Sequence, residues 1–276
     1  MDCGTHEKDS MDAIEFAPSW QEVFAEAGLA TVEDFMHYEG GTPIGHNRHR
    51  QVLTFVLDTP TGPRRFYMKR FIRPHLKDML ATWRRFGRPC SQAECEWRYA
   101  RTLLDQGIET YPPVCHGAMM RCGFEQGSFF VTEEIQGRCL TDYVAEAWKT
   151  LSPEDRHVLL VSLGRFVRRV HEARISFPDL YAWHIYLLDP VGPSSQLALI
   201  DLHRMRCGVR RLGERLRNLG ALEYSLLERY FDDDAKRTLF EAYRRAGDRL
   251  PWDRFRTRIH RRAEALRQRR RHAPDY

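Results

Sequence analysis

Two short acidic motifs near the middle of the chain carry residue types at a spacing suited to chemistry. Asp179-Leu-Tyr-Ala-Trp-His184 sets a carboxylate on a turn just after a helix, and Leu197-Ala-Leu-Ile-Asp201 ends a short apolar strand in another. The two acids are 22 residues apart (201 − 179), with the turn-rich Asp189-Pro-Val-Gly-Pro-Ser-Ser195 between them. Placed at one mouth of a hairpin, they could bring together a phosphate, its metal and an acceptor hydroxyl. Asp179 would accept or orient the hydroxyl proton, and Asp201 would hold Mg²⁺, a cation that prefers oxygen. Each acid also has a plainer reading. An aspartate after proline caps turns, and Asp201 could pair with Arg204, since a carboxylate closing a buried strand needs a cation. His184 stands between Trp183 and Ile185. Three roles stay open for it: a satisfied core histidine, a group orienting Asp179 or a phosphate, and a metal ligand, the last disfavoured because Mg²⁺ prefers oxygen donors.

A third charged position lies upstream. In Arg65-Phe-Tyr-Met-Lys-Arg-Phe71 the alternation of a half-exposed strand puts Lys69 on the face of Tyr67 and Phe71. It is either a lysine snorkelling from an edge strand or an amine reaching toward phosphate, held by a carboxylate. Glu96 is the expected holder, because it shares a helix face with Ala100 and Leu103 and must point inward. Glu94 falls beside Arg98 and Arg101, on a solvated ion-pair face.

The elements that would position these groups follow from pattern. Trp20–Ala27 is amphipathic, with Gly28 as its stop. From Phe35 the pattern turns β-like: Gly40–Gly45 is turn material, Gln51–Leu57 a strand, Thr59–Pro63 a tight turn and Arg65–Phe71 the next strand. Ser91–Gln106 is a helix stopped by Gly107, Phe129–Ile135 a strand, and Gly137 a joint. Beyond it the chain is mostly helical. Ser152-Pro-Glu-Asp155 is a helix start, followed by Leu159, Leu163, Phe166, Val167 and Val170 at helical spacing. Further helices are expected at about 213–230, 233–246 and 252–271. This organisation reads as a tail and helix over 1–30, a strand-rich lobe over 31–136 and a helical lobe over 137–276.

Composition limits what such a chain can be. With 276 residues, 42% of them hydrophobic, it can bury a sizeable core, so global disorder is excluded. Residues 1–15 look like a loose tail without an apolar secretory segment, and no run approaches the length of a membrane span. The expected location is therefore cytoplasmic. Seven cysteines, an odd number without CxxC spacing, argue against a disulfide framework or zinc site. The net charge of +5 is concentrated: Arg204, Arg206, Arg210, Arg211, Arg215 and Arg217 form one run, and a basic tail spans 252–272. Such runs are either solvated helix faces or a surface for something anionic. No GxxxxGK[ST] occurs, which excludes a P-loop, and Gly40, Gly41 and Gly45 do not make GxGxxG. His46-Asn-Arg-His-Arg50 could instead approach phosphate through side chains.

Protein kinases place a catalytic and a metal-binding aspartate on either side of one hairpin in this way. More specifically, Lys69 in FYMKRF, Glu96 in ECEWRYARTLLDQGI, SFFVTEEI at 128–135, PDLYAWHIYLL at 178–188 and LIDLHR at 199–204 occur in one order. Together they resemble the Kdo/WaaP family of lipopolysaccharide core kinases over about residues 35–245. The resemblance implies an α+β, protein-kinase-like fold with a β-rich N-lobe and a helical C-lobe. It implies ATP and Mg²⁺ as cofactors and a heptose or Kdo hydroxyl of the lipopolysaccharide inner core as acceptor. Lys69 would contact ATP phosphates and Glu96 would hold Lys69. Asp179 would be the catalytic base, Asp201 would bind Mg²⁺, and Glu133, Glu134 and Ile135 would form the hinge against adenine. An anionic glycolipid is the implied partner and suits the arginine run, which can grip phosphate bidentately. The resemblance also admits acyl carrier protein as a partner and the cytoplasmic face of the inner membrane as the site of action. No nucleic acid is expected.

The chain departs from kinase patterns at three points. Phe177-Pro178 stands where kinases carry His-Arg before the catalytic aspartate, Leu202-His203 follows Asp201 in place of Phe-Gly, and no Ala-Pro-Glu follows. An ordinary protein kinase regulated by loop phosphorylation is therefore not expected. Two other classes remain in view: a small-molecule kinase of the aminoglycoside or choline type, and a non-catalytic module using its basic faces for binding.

Overall fold

The computed structural model describes residues 14–245, 248–269 and 274–276. The tail expected over 1–15 falls almost wholly outside these, as do residues 270–272 of the basic tail and the side chains of His46 and Asn47. The chain divides into two compact units, 1–102 with 111–134 and 103–110 with 135–276.

The first unit is built on a six-stranded antiparallel sheet. Its elements are β1 (Ile14–Phe16), α1 (Gln21–Glu26), α2 (Val32–His37), β2 (Thr42–Asn47), β3 (Arg50–Thr59), β4 (Gly62–Ile72), α3 (Leu76–Phe86) and α4 (Gln92–Asp105). Beyond the two-residue β5 (Glu109–Thr110), which belongs to the second unit, come β6 (Pro113–Arg121) and β7 (Phe124–Glu133). The strand order is β1-β6-β7-β4-β3-β2. Alternation along β4 buries Phe66 and Met68, and these meet Phe24, Phe35, Phe55 and Phe129 in one aromatic core. Burying each such ring contributes roughly 1.5–3 kcal/mol. Gly107 stops α4 at φ +64°, a left-handed value that only glycine adopts without strain.

Three expectations are corrected here. Phe35 lies in a helix, not in β structure. Thr31 accepts from the Asp34 N–H while the Asp34 carboxylate accepts from the Thr31 N–H, so a capping box starts α2. The Phe35 ring then stacks on Phe129 at 4.1 Å. The turn expected over Gly40–Gly45 is shorter, because β2 begins at Thr42 and pairs with Thr54. β7 starts earlier than expected and ends at Glu133, two residues short of Ile135.

The second unit carries a small sheet, ordered β5-β10-β9-β8, and most of the helices. β8 (Gly137–Cys139) leads into α5 (Leu140–Ala147) and α6 (Pro153–Glu172), where the Ser152 hydroxyl accepts from the Asp155 N–H at 3.1 Å. A short 3₁₀ turn, Ala182–His184, precedes β9 (Ile185–Leu188). β10 (Leu197–Leu199) precedes a second 3₁₀ turn, Leu202–Arg204. Then follow α7 (Leu212–Ser225), α8 (Asp233–Tyr243) and α9 (Trp252–Arg269). α6 packs on α8 through Gly164, where an added Cβ would sit 2.3 Å from the Leu239 carbonyl oxygen. α9 buries Phe255, Ile259, Ala263 and Leu266, while its Arg256 and His260 bind the buried Glu223 of α7. No helix among the described residues is long and apolar enough to cross a membrane. The six described cysteines form no disulfide with one another.

Candidate active site

In the first unit, β4 and α4 bring one ion pair together. Lys69 pairs in register with Val52 and Phe130, which fixes its backbone at the middle of the sheet. Its Nζ donates to Glu96 Oε2 at 2.8 Å, and the Tyr111 hydroxyl donates to the same oxygen at 3.3 Å. Glu96 is 1% exposed, so the charge is affordable only with a cation against it. Its second oxygen, Oε1, is buried and accepts no hydrogen bond. Glu94, the alternative, lies on the outer face with Arg88 and Arg98.

The expected hinge residues straddle the boundary of the units. Glu133 is held by Arg64, and Glu134 accepts from the Tyr67 hydroxyl at 3.2 Å with Arg65 beside it at 3.5 Å. Their N–H groups donate to the carbonyls of Pro112 and Arg65. Ile135 is half-buried and opens the second unit.

In the second unit, the segment before Asp179 and the segment after Asp201 are stitched together. Ser176 and Arg206 exchange both backbone hydrogen bonds, at 2.8 and 2.9 Å, and the Val209 N–H donates to Arg174 O at 2.8 Å. β9 and β10 pair antiparallel, Leu197 opposite Leu187 and Leu199 opposite Ile185. Asp179 and Asp201 therefore come to the same end of one hairpin. The loop carrying Asp179 is anchored from below by α7. The fully buried Asn218 accepts from the Phe177 N–H at 2.8 Å, and Ser225 Oγ accepts from the Ala182 N–H at 2.8 Å. His171 completes the anchor between Asn218 and Tyr243, and its burial pushes its pKa down to about 3.

Within this frame the Asp179 carboxylate, 6% exposed, accepts from Arg204 Nη1 at 2.9 Å on Oδ1 and 3.3 Å on Oδ2. The plainer reading of Asp201, an ion pair with Arg204, is not the arrangement found. The 3₁₀ turn after Asp201 swings Arg204 back over Asp179, and Asp201 instead meets His203 Nδ1 at 3.1 Å. Asp201 holds a left-handed backbone, φ +59°, an uncommon state for a non-glycine residue and one that concentrates at functional sites. Phe177, fully buried, fills the place of the usual histidine and packs edge-on to His184 at 6.4 Å.

His184 links the two acids. Its Nδ1 must donate to the Asp179 carbonyl at 2.8 Å, because a carbonyl only accepts. Burial lowers the pKa of this imidazole, so its neutral form turns a bare Nε2 lone pair toward Asp201 Oδ2, 3.8 Å away. The Asp201 oxygens suit Mg²⁺. Among the described residues no cluster of three or more His, Cys, Asp and Glu could hold a metal alone. The remaining positions would thus fall to phosphate oxygens and water, as is usual for Mg²⁺.

Tyr111, His203, Asn218 and Ser225 escaped the sequence reading. Asn218 alone left a trace, an amide on the apolar side of a helix. Of the arginine run, Arg204, Arg206, Arg210, Arg211 and Arg217 are exposed, whereas Arg215 is half-buried and donates to the His171 carbonyl at 3.1 Å.

A lysine–glutamate pair on strand and helix in one unit, and an Asp–His–Asp hairpin in the other, define a protein-kinase-like class of chain. The fold agrees: the chain is similar to the solved structure "WaaP in complex with acyl carrier protein", at TM-score 0.69 and 21% identity, over 92% of this chain and 99% of that one. A model of the lipopolysaccharide kinase (Kdo/WaaP) family matches residues 36–243. The chain belongs to that family. It is also similar to the lipopolysaccharide core heptose(I) kinase WaaP of Escherichia coli (strain K12), 28% identical over 161 residues, 56% of this chain. That match spans 59% of the relative's length.

Proposed function

We propose that this chain is an ATP- and Mg²⁺-dependent kinase that phosphorylates a heptose or Kdo hydroxyl of the lipopolysaccharide inner core. The observation that carries the reading is the hairpin that joins Asp179, His184, Asp201 and Arg204 in a member of this family. Asp179, held in plane by Arg204 and by its loop anchors, would orient the acceptor hydroxyl and take its proton. Asp201, with His184 beside it, would hold Mg²⁺, which when bound neutralises charge on the transferring phosphoryl group. Lys69, kept extended by Glu96, would contact ATP phosphates, with Glu133, Glu134 and Ile135 along the adenine. The exposed arginines after Asp201 would grip the anionic core. The solved structure with acyl carrier protein supports such a carrier as a partner of this chain too, and a lipid acceptor would put the reaction at the cytoplasmic face of the inner membrane.

The test compares ATP consumption with extracted lipid A–core and with soluble aminoglycosides. Turnover is expected only with the former, and Asp179→Asn and Asp201→Asn are expected to abolish it while thermal unfolding stays intact. Preference for aminoglycosides would move the chain to the small-molecule kinases. Near wild-type turnover by either variant would overturn the assigned roles.

A further inference from the structure

We infer that α3 and the tip of the β6–β7 hairpin form a docking face for an anionic lipid bilayer. Nine large hydrophobic side chains are exposed among the described residues, and four of them lie on α3 and the hairpin tip: Leu76, Leu80, Trp83 and Phe124. Leu76, Leu80 and Trp83, spaced four and then three, stand in one row along α3 at 56%, 43% and 47% exposure. This row is distinct from the helix's inward face, where Thr82 is buried and donates to the carbonyls of Met79 and Cys90. Leu80, Trp83 and Phe124 line one shallow hollow, so hairpin and helix make a continuous apolar patch. Scattered exposed leucines are ordinary, but a contiguous patch marks an interaction surface.

The rim of the patch says what covers it. Arg73, Lys77, Arg84 and Arg121 are exposed around it, and between residues 72 and 88 five basic residues face a single acid, Asp78. Arg85 and Arg88 are engaged inside the unit, by Tyr99 and Glu94, which leaves Arg73, Lys77 and Arg84 to the surface. An apolar row with a tryptophan and basic flanks is the build of a helix lying in a membrane interface. A second copy of this chain would set like charges against each other. An acidic protein would match the charge, and the choice of a bilayer over it rests on the reading above that the acceptor is a lipid.

The test uses the full chain with vesicles of phosphatidylglycerol and phosphatidylethanolamine, against vesicles of phosphatidylcholine, scored by flotation. The wild type is expected to float with the anionic vesicles only. Leu76→Gln/Leu80→Gln/Trp83→Gln and Lys77→Glu/Arg84→Glu are each expected to weaken binding by about tenfold or more, with unfolding temperature unchanged, since every position is exposed. Both variants are expected to retain turnover on detergent-dispersed lipid A–core. Failure of the wild type to turn over there would count against the acceptor, and flotation alone judges the docking face. The inference is overturned if the wild type does not float or the variants float like it. It is equally overturned if sedimentation shows a dimer that the variants break, or if an acidic carrier protein binds the patch while vesicles do not.

Discussion

Arg204 compensates Asp179 from a turn that belongs to the other acidic motif. Its own side chain is 59% exposed, so the pair adds little to stability, whereas Asp179 is nearly buried and needs the charge to stay ordered. Arg204→Met is therefore expected to lower kcat by about a hundredfold with little change in KM for ATP, and to shift the unfolding temperature by only a few degrees. Arg204→Lys should recover part of kcat, since a point charge replaces one donor of the fork. A kcat for Arg204→Met within a few-fold of wild type, measured at saturating ATP, would show that Asp179 does not depend on it. At this scale much of the site was legible. Asp179, Asp201, Lys69 and Glu96 each sit where a charge contradicts its apolar neighbours, and that contradiction can be read from one strand or one helix face. The partner of Asp179 could not be. Which acid receives Arg204 depends on the backbone turn at Asp201, and a left-handed φ at a non-glycine residue leaves no mark in the sequence.

Elements were legible where local signals and tertiary packing agree. The Ser152 cap and the apolar positions of α6, the Gly107 stop of α4 and the β3–β4 hairpin all belong to this group. The misses are elements decided by contacts at a distance. β1 is three residues long and exists through its pairing with Cys115–Gly117. β6 opens on Pro113 and carries Gly117, both strand-breaking signals. Yet a Cβ at Gly117 would lie 2.6 Å from the Phe129 ring, so the glycine serves close packing within the sheet. α3 differs from these: Leu76, Leu80 and Trp83 stand at helical spacing in the sequence itself, yet no element is expected there above. The contact of α6 with α8 offers a sharp test at this scale. Gly164→Ala would gain helix propensity, about 1 kcal/mol, but its methyl would meet the Leu239 carbonyl at 2.3 Å and the Ala242 methyl at 2.9 Å. Overpacking should win, with a net loss of about 2 kcal/mol in urea unfolding. Unchanged or raised stability would mean that the two helices are free to part.

Across the whole molecule, two buried groups give the units opposite responses to acid. In the first unit, Glu125 is 3% exposed, accepts from the Gln92 N–H at 3.0 Å and from the Ser128 hydroxyl, and burial pushes its pKa up to about 7. Its folded value lies above its unfolded one, so its contribution is fully present below about pH 4.5 and is lost as pH rises through 7. In the second unit, His171 is pushed down to about 3 by burial between Asn218 and Tyr243. Its contribution is present above about pH 6.5 and is lost as pH falls toward 3. Between pH 7.5 and 5 the two effects have opposite signs, each on the order of 2 kcal/mol at about 1.4 kcal/mol per pH unit. Glu125→Gln should therefore lose stability relative to wild type as pH is lowered over that range, and His171→Gln should gain it. Urea unfolding of the three proteins at pH 7.5 and 5 measures both differences. If the two differences changed with the same sign, the assigned burial of one group would be wrong. The His171 arm also reaches the chemistry, because Asn218, which it holds, fixes the backbone two residues before Asp179. Acid should thus lower turnover as the second unit loses stability, and Glu125→Gln should leave that loss unchanged.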